Sequence, residues 1–335
     1  MAKSNGRELP AGEVSLVAVS PAMKELWRQI EKIAATDIPV LIEGPAGVGK
    51  GLVARAIHRA SPRAARPLVI VDGASLGEEV FEAELFGWAP AAFPGVEAHR
   101  EGLAGVADGG TLFIDSVGEL PTGSQAKLLR FLDLGLLSPQ GPPESARSRS
   151  VDLRILSAHR GDLRAEVRAG RFRADLYFRL RGVLLRVPGL RDRREDLPAL
   201  VEGFVARYRG RYGKAVAGVS AEAMERLLSH PWEGNMRELE SEIERAILRT
   251  AAGQLVQAES LAIDRRLPAA PDGARLRQYR RQQEKEMVVE ALEGARWNVS
   301  AAARQLGLSR VGLSKKIKTL GLKRPGPHPG GRPLL

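Results

Sequence analysis

Apolar residues along the first two thirds of the chain fall into two alternating rhythms. Over residues 21–35 they stand at helical spacing, as Met23, Leu26, Ile30 and Ile33, and predict an amphipathic helix. Residues 38–43 form a short apolar run that predicts a buried strand, and residues 51–59, rich in Ala, Val and Ile, predict a helix. Runs at 68–71, 111–115 and 151–157 predict three more strands. Strands alternating with helices imply a parallel sheet covered on both faces. From Arg193 onward the pattern is rich in helix. Residues 139–150, with Gly-Pro-Pro and Ser-Arg repeats, predict a surface loop, and the Pro-rich stretch 267–273 predicts a linker. No internal repeat is visible.

Composition narrows the class. A chain of 335 residues, 44% hydrophobic and 27% charged, suits two or three packed domains and excludes disorder throughout. No apolar run approaches the roughly 18 residues of a membrane span, and the polar N-terminus has no signal-peptide core. The absence of cysteine removes disulfides, thiolate zinc sites and cysteine nucleophiles, and five scattered histidines make no metal cluster. The expectation is a soluble, cytoplasmic, multidomain protein without a membrane partner. Charge adds a direction. The net charge is +11, and residues 276–335 hold 13 Lys and Arg against 4 Glu. A basic block on a near-neutral body is the footprint of a nucleic-acid-binding appendage, although a solvated basic helix carries the same charge.

The sharpest chemical signal is Gly44-Pro-Ala-Gly47-Val-Gly49-Lys50-Gly51, directly after a predicted strand and before a predicted helix. Glycines at this junction let successive N–H groups converge on phosphate, the helix N-terminus adds its dipole, and Lys50 neutralises the outer phosphates. Gly51 stands where a Ser or Thr usually offers magnesium a hydroxyl. The apolar strand at 111–115 ends in Asp115, a carboxylate suited to hold Mg2+ beside such a loop. Ser116 comes next, where a hydrolysing ATPase of this class has a Glu to orient water. Serine is a very poor base near pH 7.

Further blocks stand in order along the chain: Ser20-Pro-Ala-Met23, Leu52-Val-Ala-Arg-Ala-Ile-His58, Glu84-Leu-Phe-Gly87 and Gly118-Glu-Leu-Pro121. Gln125-Ala-Lys-Leu-Leu-Arg130, Gly170-Arg-Phe-Arg-Ala-Asp-Leu-Tyr177, Leu190-Arg-Asp-Arg-Arg-Glu-Asp-Leu-Pro198 and Trp232-Glu-Gly-Asn-Met-Arg-Glu-Leu239 follow. Over about residues 15 to 265 the chain resembles the AAA+ central domain of the bacterial enhancer-binding proteins that activate sigma-54 RNA polymerase. The resemblance implies an α/β AAA+ P-loop parallel sheet (15–190) with a helical lid (191–266). It implies ATP and Mg2+ as cofactors, with Gly44, Gly47, Gly49, Lys50 and Gly51 on phosphate and Asp115 on the metal. It further implies that Arg173 and Arg179 are arginine fingers offered to a neighbouring subunit's nucleotide, and that Arg237 reaches the phosphates from the lid. Outside this context each arginine would read as a surface salt bridge.

Four departures fall on chemistry. Ser116 replaces the water-orienting Glu, Asp72 stands for the coupling Asn, and Ala158-His159-Arg160 stands for the sensor Ala-Thr-Asn. The loop that grips the sigma factor, G-A-F-T-G-A in the family, is Ala91-Ala-Phe93-Pro94-Gly95-Val96, so Phe93 and Gly95 survive while the threonine is Pro94. Proline fixes φ and removes an N–H in a loop that must move. The expectation is impaired hydrolysis and impaired sigma-54 remodelling.

Beyond a linker at 267–275, residues 276–323 resemble the Fis-type helix-turn-helix, an all-α DNA-binding domain. Leu276, Tyr279, Met287, Val288, Ala291 and Leu292 mark a first helix; Asn298 or Ser300 caps a second; Ser309 caps a third with Val311, Leu313, Ile317 and Leu320 inward. Arg310, Ser314, Lys315 and Lys318 then fall on or near the groove-facing surface, with Lys316 and Lys323 as phosphate contacts. Residues 324–335 are expected to be disordered. With only an extension, residues 1–14, ahead of the ATPase, no upstream sensory site is expected. The reading is an ATP-binding, sequence-specific regulator of double-stranded DNA. RNA polymerase with sigma-54 is an implied partner, and the assembly is a homo-oligomer, from dimer to ring, or a mixed ring with an intact relative. The alternatives are an active sigma-54 activator ATPase and a scaffold that does not bind DNA.

Overall fold

The structure, a computed structural model, describes residues 16–74, 77–92, 98–142, 144–263, 288–289, 291–295, 297–306, 310–320 and 322. The chain divides into two compact units, Met1–Arg265 and Arg266–Leu335.

Five parallel strands form the centre of the first unit: β1 (Val40–Gly44), β2 (Leu68–Asp72), β3 (Thr111–Asp115), β4 (Arg154–Arg160) and β5 (Val183–Arg186). Their spatial order is β2-β3-β4-β1-β5. Alternate residues serve opposite faces. Leu41, Leu112 and Ile114 join a core with Phe81, Leu128 and Leu176, while Val40, Ile42 and Phe113 join another with Met23, Ile30 and Ile57. Burial on both faces explains why these strands read as apolar runs rather than as alternation. The first face is covered by helices α3 (Glu78–Phe86), α4 (Leu103–Val106), α5 (Thr122–Leu134), α6 (Leu163–Arg168) and α7 (Ala174–Leu180). The other is covered by α1 (Pro21–Ala34) and α2 (Lys50–Arg59). Ser20 caps α1 by accepting from the Met23 N–H, as its place before Pro21 dictates.

The structure differs from the sequence reading in three places. The strand expected at 151–157 is Arg154–Arg160. Its first residue is a fully buried arginine whose guanidinium donates to the carbonyls of Ala34 and Ile33, closing the C-terminal end of α1. His159 and Arg160 thereby join the end of the strand. β5 had no counterpart in the sequence reading, and the expected loop at 139–150 ends in Arg149–Ser150, paired antiparallel with Leu136–Leu137.

A helical lid follows: α8 (Leu197–Tyr212), α9 (Ala221–Ser229) and α10 (Asn235–Arg249), around Phe204, Leu227, Trp232, Leu239 and Ile243. The second unit shows α11 (Val299–Gln305) and α12 (Arg310–Thr319), with Val288, Leu292, Ala302, Ala303, Leu313 and Leu320 in one core. Asn298, rather than Ser300, caps α11, accepting from the N–H groups of Ser300 and Ala301. The extension 1–14, the linker 267–275, most of the first helix of this domain and the tail 324–335 lie outside the described residues. Among the described residues no helix is long and apolar enough to cross a membrane.

Candidate functional site

The C-terminal edge of the sheet collects the residues singled out for nucleotide chemistry, as open α/β sheets generally do. β1 ends in Gly44, and the loop that follows delivers Lys50 as the first residue of α2. Gly47 and Gly49 have φ of 75° and 98°, in the left-handed region that glycine enters without cost. A Cβ on Gly47 would lie 2.3 Å from the Gly234 carbonyl oxygen of the lid, so this position requires glycine twice over.

Every carbonyl from residue 44 to residue 48 has a partner. Lys50 Nζ donates to Gly44 O at 2.9 Å and to Pro45 O at 3.0 Å. The Asn235 amide donates to Ala46 O at 2.9 Å, and the Met236 N–H donates to Gly47 O at 3.0 Å. The buried Arg193 guanidinium donates to Val48 O at 2.7 Å. Among the described residues the N–H groups of Ala46, Gly47, Val48 and Gly49 have no acceptor within the chain. A loop with its carbonyls engaged and its N–H groups uncommitted is an anion-binding nest, and it fits the phosphates of a nucleotide.

Charge surrounds the loop. Burial holds Lys50 below the ordinary lysine range, Asp115 pulls the other way, and Arg160 and Arg237 push it further down. Those influences bring Asp115, Arg160 and Arg237 into one field with Lys50. Arg237 is exposed in the first turn of α10. Gly51 has open space around it and brings no hydroxyl. Asp115 ends β3 with one carboxylate oxygen accepting from the Ser116 N–H at 2.8 Å, leaving the other available to a cation.

The residues that depart from the family pattern sit on the neighbouring strand ends. Ser116 has φ 55°, a left-handed conformation that costs a non-glycine residue about 1–2 kcal/mol. His159 lies beside Glu43 in register, 4% exposed, with its ring against Gly118 and its Nδ1 atom buried without a partner. Burial holds the imidazole below its ordinary value, so it is neutral at pH 7. Asp72 ends β2 beside Asp115, and one of its oxygens accepts from the Ala74 N–H.

The finger candidates are elsewhere. Arg173 precedes α7 and pairs with Asp175, while Arg179 pairs with Asp133 at 3.2 Å and donates to Leu132 O. Both are partly exposed, and their polar partners lie away from the phosphate loop. Phe93, Pro94 and Gly95 lie outside the described residues; Ala91, ahead of them, has φ 62°. In the second unit Ser314 and Lys318 are exposed on α12, whereas the side chains of Arg310 and Lys315 lie outside the described residues.

Sequence reasoning missed Asn235, Met236, Arg193 and Arg160 as neighbours of the loop. Asn235 carried a usable signal, since a Gly-Asn pair just before a helical pattern marks a residue suited to positive φ. Arg193 carried none, because nothing in its local sequence announces burial.

Comparison with known proteins covers most of the chain. Residues 16–186 match the Sigma-54 interaction domain family, 191–272 the AAA+ ATPase lid domain, and 279–320 the bacterial regulatory protein, Fis family. The transcriptional regulatory protein ZraR of Klebsiella oxytoca is 43% identical over 319 residues, spanning 95% of this chain and 71% of that protein. The response regulator protein PilR of Pseudomonas aeruginosa is 40% identical over 314 residues, 92% of this chain and 70% of PilR. Among solved structures, NtrX from Brucella abortus in complex with ATP superposes with a TM-score of 0.66 at 34% identity, covering 93% of this chain and 70% of that one.

Proposed function

The chain belongs to the sigma-54-dependent transcriptional regulators, with an AAA+ ATPase domain and a helix-turn-helix DNA-binding domain, and from that premise we propose that it binds ATP and double-stranded DNA while hydrolysing ATP very slowly. One observation carries this reading. The phosphate loop is wired for an anion through every carbonyl from 44 to 48, while the residue after Asp115 is a serine in a left-handed turn.

Bound ATP with Mg2+ would supply a phosphoanhydride whose cleavage can drive remodelling. Toward it, the N–H groups of 46–49 and Lys50 hold phosphate, and Arg237 adds charge from the lid. Asp115 is the carboxylate for Mg2+, with no hydroxyl from Gly51 to help it. The Ser116 hydroxyl cannot take a proton from water near pH 7, and His159 is packed against Gly118. Binding is therefore retained while turnover is very slow. Sigma-54 remodelling is impaired, because Pro94 stiffens the loop that would grip the sigma factor. Arg310, Ser314, Lys315 and Lys318 read the groove, and the cytoplasm is where such a regulator meets DNA and polymerase.

A second reading rests on Arg173 and Arg179. Their exposure supports a ring, either of this chain alone or mixed with an intact relative to which these arginines are lent. The test is ATP binding and steady-state phosphate release by the full chain, with and without duplex DNA, followed by open-complex formation with sigma-54 polymerase. Saturable ATP binding, little phosphate release and salt-sensitive DNA binding are expected. Rapid ATP-dependent promoter opening would establish an active ATPase instead, and a chain that binds no DNA at low salt would be a scaffold.

A further inference from the structure

The phosphate loop is held from behind by three groups that do not belong to its own strand or helix. Asn235 is 5% exposed, with φ 56°. Its amide nitrogen donates to Ala46 O at 2.9 Å, and its amide oxygen accepts from the Leu190 N–H at 2.8 Å. The next residue donates its own N–H to Gly47 O. One side chain thus joins the loop to Leu190, where the chain passes from sheet to lid, and fixes the first turn of the lid beneath Gly47.

Arg193, 1% exposed, continues the brace. It donates to Val48 O at 2.7 Å and to the Met23 sulfur at 3.2 Å, and its Nε has no partner. Asp196, fully buried, accepts from the Val19 and Ser20 N–H groups and from the Ser20 hydroxyl, tying the connection between sheet and lid to the segment ahead of α1. A buried cation without a close ion-pair partner is costly, so its position asks for a compensating role. That role is visible in the loop: if the carbonyls of Ala46 and Val48 turned inward, they would oppose phosphate with partial negative charge.

We propose that Asn235 and Arg193 are positioning residues for nucleotide: from the lid side they hold the Ala46 and Val48 carbonyls away from the phosphates, so that lid orientation and phosphate affinity become one variable. This inference rests on the reading that the loop binds ATP. It concerns the back of the loop and is separate from any contact that Arg237 makes with the nucleotide.

Two substitutions isolate the donors. Asn and Asp both tolerate positive φ, so Asn235→Asp keeps the backbone and the acceptor for Leu190 while removing the donor to Ala46. Arg193→Met keeps length and burial and removes the desolvation cost of a buried cation, which offsets the hydrogen bond lost at Val48 O. The full chain and both variants are compared by titration with a fluorescent ATP analogue, by amide hydrogen exchange with and without ATP, by melting temperature and by DNA affinity. Each variant is expected to bind the analogue at least tenfold more weakly, with melting temperature and DNA affinity close to wild type. In nucleotide-free Asn235→Asp, the Met236 N–H should exchange at least tenfold faster while the Leu190 N–H keeps its protection. At saturating ATP the wild type should gain protection in the loop and the lid together, and the variants in the loop alone.

Binding within twofold of wild type with joint protection in both variants overturns the proposal. So does a loss of affinity that tracks a falling melting temperature, with Leu190 and Met236 exchanging faster together. If the wild type itself binds no analogue at millimolar concentration, the ATP-binding reading falls. The Met236 exchange rate still decides whether the brace exists.

Discussion

The strand ends along one edge of the sheet are built by two different means. The exit of β1 is made almost wholly of backbone: Gly44, Gly47 and Gly49 set its path, and all five carbonyls from 44 to 48 are engaged. The exits of β3 and β4 depend on side chains, and there the chain offers Ser116 in a left-handed turn and a buried, neutral His159 with an orphaned Nδ1. Anion binding needs N–H groups, which any sequence supplies once glycines permit the turn. Water activation needs a particular carboxylate or base at a particular place, and one substitution removes it. Binding and turnover are therefore separable in this fold, because the first is a property of conformation and the second of side-chain identity.

The largest way to break the contrast is at Gly47. Gly47→Ala should abolish ATP binding, measured by analogue titration, because its Cβ would enter contact with the Gly234 carbonyl and the left-handed backbone adds about 1–3 kcal/mol of strain. Unchanged affinity would mean that the loop is not held by the lid as described.

Restoring the missing side chain at the other strand end should give the next largest effect. Ser116→Glu is expected to raise steady-state phosphate release by about tenfold or more, since a positioned base contributes roughly 10²–10⁴-fold and Asp72 and His159 still depart from the family pattern. ATP affinity should change little. An unaltered rate would show that Ser116 does not limit turnover.

The third effect is on pH dependence. Burial lowers the pKa of His159, and also those of His58 and His230, so the neutral forms are the folded ones. A histidine with a depressed folded pKa contributes stability that is fully present above its unfolded value of about 6.5 and is lost as pH falls below it. Denaturant midpoints should therefore drop between pH 7.5 and 5.5, and His159→Asn should drop less over the same interval. An equal drop in both proteins would remove His159 from the set.

The smallest effect lies beside the partner loop. Ala91 has φ 62°, so Ala91→Gly relieves backbone strain at some cost in unfolded-chain entropy, for a net stabilisation of less than about 1 kcal/mol. Thermal melts of the two proteins side by side would read it, and destabilisation would contradict the conformation at this residue.

Much of this was legible in the chain itself. Apolar runs such as Val40-Leu-Ile42 and Leu112-Phe-Ile114 fixed strands buried on both faces, and the glycine-lysine loop between a strand and a helix fixed where phosphate would sit. The identities of Ser116, His159 and Pro94 were plain to read, because side-chain chemistry is written directly in sequence. Asn298 was already one of two caps in view. Hidden in the sequence was everything that depends on distant segments meeting. Arg154 stood inside an expected strand with no sign of a long-range role, and is a buried cap on α1, 120 residues away from its partner carbonyl at Ala34. Gly47 had a local reason to be glycine, but only folding placed the lid carbonyl of Gly234 against it. Arg193 and Asn235 became neighbours of the phosphate loop by the same route, across 145 and 189 residues of chain. Local propensity and motif chemistry act within a few residues, so sequence determined the elements and the reagents; the packing of lid on sheet, which no local pattern encodes, decided which of them hold the loop open.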